Sequence, residues 1–398
     1  MADPPKHTNR SSDGDWSGND IRVAFPFVGD SVGGAQLSAL LLAQHLPRAR
    51  FTPFVILHQQ GPLSDHLDRI AVPYELMPLP DYVGRHTAPW RQAWAVLSTV
   101  APIRKFISDH RIDIVHAQDG RMNLTWSLPT RWEGRSFVWH QRARHVRSRI
   151  VHLLIHLANM IICNSHFTKT SLPPRVADKA VVLANPFEHK DYLSRHDCRQ
   201  ALIAELGCPP TSRLVGFVGN LTTQKRPDVF LAAAGLIARN HNEEVRFVIA
   251  GDERRWTFKQ LQQQAISLGL ENLVYFLGFR APIEPVLASF DVLIAPGVDD
   301  AFGRTLVEAM LVGTPVMAAD SGGHPEIIQN GRTGFLLTPE DPGAFASAAI
   351  DLLKGSETWH DVSDSARCFS RDHFSIRTHV DEMVSLYSKL VPDLGELS

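Results

Sequence analysis

Only four of the 398 residues are cysteine (Cys163, Cys198, Cys208 and Cys368), and no two of them share a metal-type spacing. That scarcity excludes a disulfide-stapled scaffold or a zinc ribbon and fits reduced thiols in a cytosolic protein. An excess of one charge is missing too: 40 Lys and Arg face 42 Asp and Glu, a formal net charge of −2. Bulk polyanion binding is thereby excluded as the main theme, and no nucleic-acid partner is expected. No apolar run approaches the roughly 20 residues that cross a bilayer, and Met1 to Asn19 contains no hydrophobic signal core. That opening stretch is rich in Ser, Asp, Gly and Pro, so residues 1–20 are expected to form a disordered leader.

What the chain does have is a rhythm, and a length that suits two domains of ordinary size. Short β-branched runs alternate with longer helical patterns: Arg22 to Val28, Phe54 to Leu57, Ile112 to Ala117, Ser136 to Trp139 and Met160 to Cys163. The rhythm restarts at Arg213 to Val218 and continues through Val245 to Ala250, Leu273 to Leu277, Val292 to Ala295, Pro315 to Ala318 and Gly334 to Leu337. Alternation of this kind is βαβ organisation around a parallel sheet, so the fold class is α/β with two Rossmann-like, doubly wound domains. The expected boundaries are 21–184 for the N-terminal domain and 191–375 for the C-terminal one. Between them Asn185-Pro186-Phe187-Glu188-His189-Lys190 reads as a linker. The amphipathic pattern within 376–398 is long enough for a final helix to pack back across both domains.

The most informative stretch is Asp299-Asp300-Ala301-Phe302-Gly303-Arg304-Thr305-Leu306-Val307-Glu308-Ala309-Met310, followed by Gly313-Thr314-Pro315. It places one carboxylate before a helix and another two turns inside, between two apolar strands. Helix-start amides at the carboxyl edge of a parallel sheet receive anions. Two carboxylates there repel phosphate and suit sugar hydroxyls instead. Glu308 sits among apolar neighbours, where a carboxylate needs a partner. Earlier, Gly219-Asn220-Leu221-Thr222-Thr223-Gln224-Lys225-Arg226-Pro227 joins a strand end to a helix start and brings two cations, a phosphate-binding arrangement. Gly33-Gly34 opens a helix after the first strand, where glycine lets a ligand approach the backbone.

The order Gly219…Lys225, Gly251-Asp252, Phe276-Leu277-Gly278, Asp300…Glu308, Gly313-Thr314-Pro315, Gly322-Gly323…Glu326…Gly331…Gly334-Phe335 resembles family 4 retaining glycosyltransferases of the GT-B fold. The resemblance runs from about Ile21 to Leu390 and is most specific in the C-terminal half. It implies that Glu308 takes the nucleotide ribose hydroxyls and Asp300 a hydroxyl of the donor sugar. The amides of Ala301, Phe302 and Gly303 would line that sugar, Lys225 would neutralise the diphosphate, and the backbone of Gly278 and Phe279 would meet the base, with Arg280 nearby. Gly33 and Gly34 would lie near donor phosphates and acceptor, and His140, which ends an apolar strand, would contact the donor sugar. His116 and Asp119 are weaker acceptor-side candidates, and Asn164-Ser165 matches a family loop.

Two departures stand out. The family has Glu where this chain has Asp300, about one methylene shorter, and often Arg where this chain has Asn220. Leaving-group stabilisation then rests more on Lys225, with help from Arg226 or Arg304. Asp299 and Asp300 are adjacent rather than spaced as Asp-x-Asp, so the expectation is a metal-independent enzyme with no cofactor besides its nucleotide-sugar donor. The acceptor is an unidentified hydroxyl compound. The basic run Arg131, Arg135, Arg142, Arg144, Arg147, Arg149 has three open readings: contact with an anionic membrane, holding a phosphorylated or lipid-linked acceptor, or a solvated turn. Lipid contact would put a cytoplasmic protein at the inner membrane face, in polysaccharide or glycolipid biosynthesis. The rival functions are a nucleotide-sugar epimerase or hydrolase on the same scaffold, and a non-catalytic nucleotide-sugar binder.

Overall fold

The structure, a computed structural model, describes residues 20–79, 89–146, 148–189, 193–241, 244–355 and 358–391. The expected leader up to residue 19, Lys190 of the expected linker, Arg147 and the tail beyond 391 lie outside the described residues.

The first sheet comprises β1 Ile21–Phe27, β2 Phe51–Leu57, β3 Glu75–Leu76, β4 Ile114–Ala117, β5 Ser136–Gln141, β6 Met160–Cys163 and β7 Ala180–Val182. Its order is β3-β2-β1-β4-β5-β6-β7, parallel throughout. The second sheet is built of β8 Arg213–Val218, β9 Val245–Ala250, β10 Val274–Gly278, β11 Val292–Ala295, β12 Val316–Ala319 and β13 Phe335–Leu337. It runs β10-β9-β8-β11-β12-β13, again parallel.

These strands read as near-continuous apolar runs because helices cover both faces of each sheet. Side chains alternate across a strand, so successive residues feed two separate cores. Ala24, Val115 and Phe137 enter one N-terminal cluster while Val23, Phe25, Ile114 and Val138 enter the other. In the second sheet Val215, Phe247 and Val292 face one way and Leu214, Val248 and Leu293 the other. Packing on β8 is tight: a Cβ built on Gly216 would lie 2.0 Å from the ring of the buried Phe290.

Strand order reverses between β1 and β4 in the first sheet and between β8 and β11 in the second. The loops leaving those four strands diverge and open a crevice at the carboxyl edge. Gly33-Gly34 follows β1, Asp119 follows β4, Lys225 follows β8 and Asp300 follows β11. The topology thus gathers most of the singled-out residues at two facing edges.

The chain returns through two helices rather than one. Helix Thr358–His373 packs on helix Arg304–Leu311 of the second domain, and helix Ile376–Ser388 packs on helix Gly34–His45 of the first. The break falls at Ser375, whose hydroxyl caps the last helix by accepting from Thr378 N at 3.1 Å. Phe187 N donates to Phe374 O and Ile376 N to Phe187 O, so the outgoing and returning chains cross side by side. Val380, Met383, Leu386 and Tyr387 then join the N-terminal core. All four cysteines are unpaired, and among the described residues no helix is long and apolar enough to cross a membrane.

Candidate active site

The wall contributed by the second domain is built by two loops that lean on each other. Val298 N donates to Gln224 O at 2.8 Å, which ties the loop after β11 to the loop after β8. Asp299 takes a left-handed conformation (φ 55°), so the chain turns sharply and Asp300 swings inward. Lys225 Nζ then donates to Asp300 Oδ2 at 2.6 Å, and His324 Nε2 lies 3.5 Å from the same oxygen. Burial alone would raise the Asp300 pKa, but Lys225 and His324 outweigh it and hold the carboxyl well below its usual range. Asp299 points elsewhere, accepting from Arg144 Nη1 at 3.0 Å.

Glu308, in helix Arg304–Leu311, has the partner its apolar neighbourhood calls for: Arg304 Nη2 donates to its Oε1 at 3.1 Å. Arg304 is the hub between the domains. Its Nη1 donates to Ser38 Oγ at 2.6 Å, and its guanidinium lies 4.3 Å from the centre of the Phe187 ring. A Cβ on Gly34 would stand 2.4 Å from Arg304 Cδ. The close approach expected at the glycine pair is therefore made by an arginine of the other domain, which needs the space a side chain would fill.

Two further contacts span the cleft. Ser165 Oγ donates to Ala301 O at 2.5 Å. Glu326 accepts from His166 N at 2.6 Å and Phe167 N at 2.8 Å, so its carboxylate caps the start of a helix in the opposite domain. Glu326 entered the sequence reading only as part of a motif; its bridging role needs the second domain to be seen.

Other expected site residues have surroundings that the sequence did not show. Arg226, expected near phosphate, adopts φ 54° and is held by Asp228 and Glu340. Asn220 is exposed at the end of β8. The Phe302 ring is buried between Phe187 and Phe374, leaving only its backbone for a ligand. Gly303 (φ 102°) packs on the His324 ring. Gly278 takes φ 68°, Phe279 beside it is 54% exposed, and Arg280 pairs with Glu205. Asp119, an acceptor-side candidate, caps helix Gly120–Trp132 by accepting from Arg121 N and Met122 N. A carboxylate serving two amides at a helix start has a structural task that the sequence reading missed. The basic run disperses: Arg131 donates to Asn159, Arg135 pairs with Asp113, and Arg144 reaches Asp299.

His140, the residue before the last of β5, is fully enclosed, with His116 Nε2 3.1 Å from its Nδ1. Burial, and then the nearby Arg142, push its pKa well down, so the ring is neutral near pH 7. Among the described residues Arg142 bonds only neutral acceptors: Gln118 Oε1, Asn185 Oδ1 and His140 Nδ1. Burial and then Arg304 lower its pKa to about 9. A half-buried guanidinium without a carboxylate partner is short of an anion.

Two doubly wound domains that close on a lysine–carboxylate crevice define a GT-B protein. The family model described as Glycosyltransferase Family 4 matches residues 32–190, and that described as Glycosyl transferases group 1 matches 212–355. The chain belongs to this family of group 1, family 4 glycosyltransferases. Among curated relatives, a D-inositol 3-phosphate glycosyltransferase of Corynebacterium efficiens is 33% identical over 190 residues, covering 46% of this chain and 45% of the relative. That of Corynebacterium glutamicum is 35% identical over 175 residues, 42% of each chain. The match thus spans about half the length of these relatives. HepE of Anabaena, solved with UDP and glucose, superposes with a TM-score of 0.79 at 25% identity, covering 93% of this chain and all of that one. A glycosyltransferase from Rickettsia africae shares the fold with a TM-score of 0.81 at 19% identity, over 94% of this chain and 99% of the other.

Proposed function

We propose that this chain is a retaining hexosyltransferase that moves a sugar from a nucleoside diphosphate sugar to a hydroxyl acceptor without a metal ion. The observation that carries the reading is the Lys225–Asp300 pair, 2.6 Å apart at the carboxyl edge where the second sheet reverses its strand order. Lys225 neutralises the departing diphosphate while positive charge develops on the sugar. Asp300, kept ionised by its neighbours, accepts a hydrogen bond from a donor-sugar hydroxyl. Glu308 accepts from the ribose hydroxyls, with Arg304 fixing the carboxylate. Asp299 and Asp300 turn to different cations, Arg144 and Lys225, which supports the metal-independent reading. Front-face attack by the acceptor on a tight ion pair is the simplest course, since among the described residues no carboxylate besides those with a task stands out as a nucleophile.

For the acceptor, the relatives' names and the anion-deficient Arg142 both favour a phosphorylated polyol. A lipid-linked acceptor with peripheral contact at the inner membrane face is the second reading, favoured by Trp132 and Val146, which are 61% and 68% exposed beside the basic run. The unpaired cysteines fit a cytoplasmic setting.

The test is mass analysis of products from a panel of nucleoside diphosphate sugars with and without inositol phosphates. Glycosylated acceptor, formed in step with free nucleoside diphosphate and keeping the donor's anomeric configuration by NMR, is expected, in chelator as in magnesium. Release of nucleoside diphosphate at the same rate without acceptor would make the chain a hydrolase or epimerase. An intact donor would make it a binder.

A further inference from the structure

We infer that the outer face of three helices in the N-terminal domain is a docking surface for an anionic lipid bilayer. Helix Pro89–Asp109 shows it most plainly. Val96, Ile103 and Ile107 on one side are buried in the N-terminal core, as an amphipathic helix requires. The opposite side should then be polar. It carries instead Trp90, Trp94 and Leu97, which are 69%, 67% and 59% exposed. Their spacing of four and then three residues puts them on a single stripe. Helices Gly120–Trp132 and Arg149–Ile155 cover the same core and add Trp132 and Leu153, both exposed. Eleven large apolar side chains are exposed among the described residues, and five of them are on these three helices. Apolar side chains that gather at a surface, rather than scatter over it, mark a contact.

The charge of this layer says what covers it. The three helices hold six Lys and Arg residues and one carboxylate, Asp109, in a chain whose net charge is −2. Asp30 and Glu133, from neighbouring loops, pair with Arg121 and Arg104, and the layer stays cationic. Two guanidiniums stand over the exposed indoles: Arg91 lies 5.1 Å from the Trp90 ring centre and Arg104 5.4 Å from that of Trp132. Cations interleaved with tryptophan match the headgroup region of a bilayer, where phosphates meet acyl chains and indole rings settle. A protein partner is a poorer match, since the centre of such an interface is depleted of charge. A second copy is poorer still, because it would set this surplus of cations against itself. The position of the stripe is also suited to the site. Strands β2, β3, β1 and β4 are parallel, so the helix between β3 and β4 starts at the carboxyl edge of the sheet. Trp90 and Trp94 therefore sit at the end of the layer nearest the crevice. That a lipid-linked acceptor passes from the docked bilayer into the crevice rests on the glycosyl-transfer reading; the docking itself does not.

The experiment is co-sedimentation of the full chain with vesicles, of phosphatidylglycerol mixed with phosphatidylcholine in one series and of phosphatidylcholine alone in the other. The chain should pellet with the anionic vesicles, less so as salt is raised, and stay in solution with the neutral ones. Trp90→Ser combined with Trp94→Ser should weaken that binding by roughly 10- to 100-fold. Arg91→Glu should weaken it while both indoles remain. All three side chains are exposed, so the melting temperatures of these variants should match that of the wild type. No binding to the anionic vesicles, equal binding to both kinds, or binding undiminished in the tryptophan variant overturns the inference. So does a wild type that is dimeric by light scattering and becomes monomeric in that variant, which would make the face an interface between copies. Vesicle binding by a chain that transfers no sugar leaves the docking surface standing, and only the proposed function falls.

Discussion

At the scale of the residue, the Lys225–Asp300 pair has two consequences that can be separated. Both side chains are mostly enclosed, so removing Lys225 leaves a buried carboxylate with only the His324 ring beside it. Lys225→Met should cost about 3 kcal/mol of stability by denaturant unfolding and abolish turnover. Adding Asp300→Asn should restore much of the stability and none of the turnover; a double variant as unstable as the single one would contradict the pairing. The buried histidines predict a pH dependence of the same sign as that of the carboxylate, in a higher pH window. Burial lowers His58 to about 4 and His379 to about 3, from an ordinary value of 6.5. Below 6.5 the unfolded chain takes up protons that the folded chain refuses. Stability present above pH 6.5 should therefore fall as pH drops toward 4, by on the order of 3 kcal/mol from His58 alone. A flat unfolding free energy from pH 7 to 4.5 would contradict this.

Lys225, Asp300 and Glu308 were legible in the sequence because each lies in a local motif next to a strand end. Arg142 was legible only as one member of a basic run, and His324 and Tyr387 were not legible. Their significance comes from partners remote in sequence: Tyr387 meets His116 across 271 positions. Arg226 was read as a phosphate neighbour, and nothing local shows that a left-handed turn delivers it to Asp228 and Glu340.

At the scale of the element, the apolar runs that mark doubly covered parallel strands carried most of the fold. The strands that escaped notice, β3 and β7, are two and three residues long at the edges of their sheet, too short for any periodicity. The split of the return crossing into two helices was also hidden, since it depends on where Phe374 and Ser375 meet Phe187. Glycine was legible as punctuation but not as packing. Gly216 gives β8 the room that Phe290 occupies, so Gly216→Ala should cost about 1–3 kcal/mol by overpacking. Unfolding in denaturant measures it, and an unchanged midpoint would show that Phe290 can move aside freely.

At the scale of the whole molecule, polar side chains tie the domains together across the cleft. Arg304 reaches Ser38 and Phe187, Arg144 reaches Asp299, Ser165 reaches Ala301, and Glu326 caps helix His166–Thr170. Glu326→Ala removes both capping bonds and leaves each core intact. The variant should show a larger radius of gyration by small-angle X-ray scattering, with a melting temperature near that of the wild type. Scattering identical to that of the wild type would mean that the remaining bridges suffice to hold the cleft.

The most direct measurement is a crystal structure of the chain with a bound nucleoside diphosphate sugar. The account predicts a diphosphate oxygen within hydrogen-bond distance of Lys225 Nζ, the ribose on Glu308 and a sugar hydroxyl on Asp300. A nucleotide bound elsewhere, with Lys225 and Asp300 still closed on each other, would contradict it.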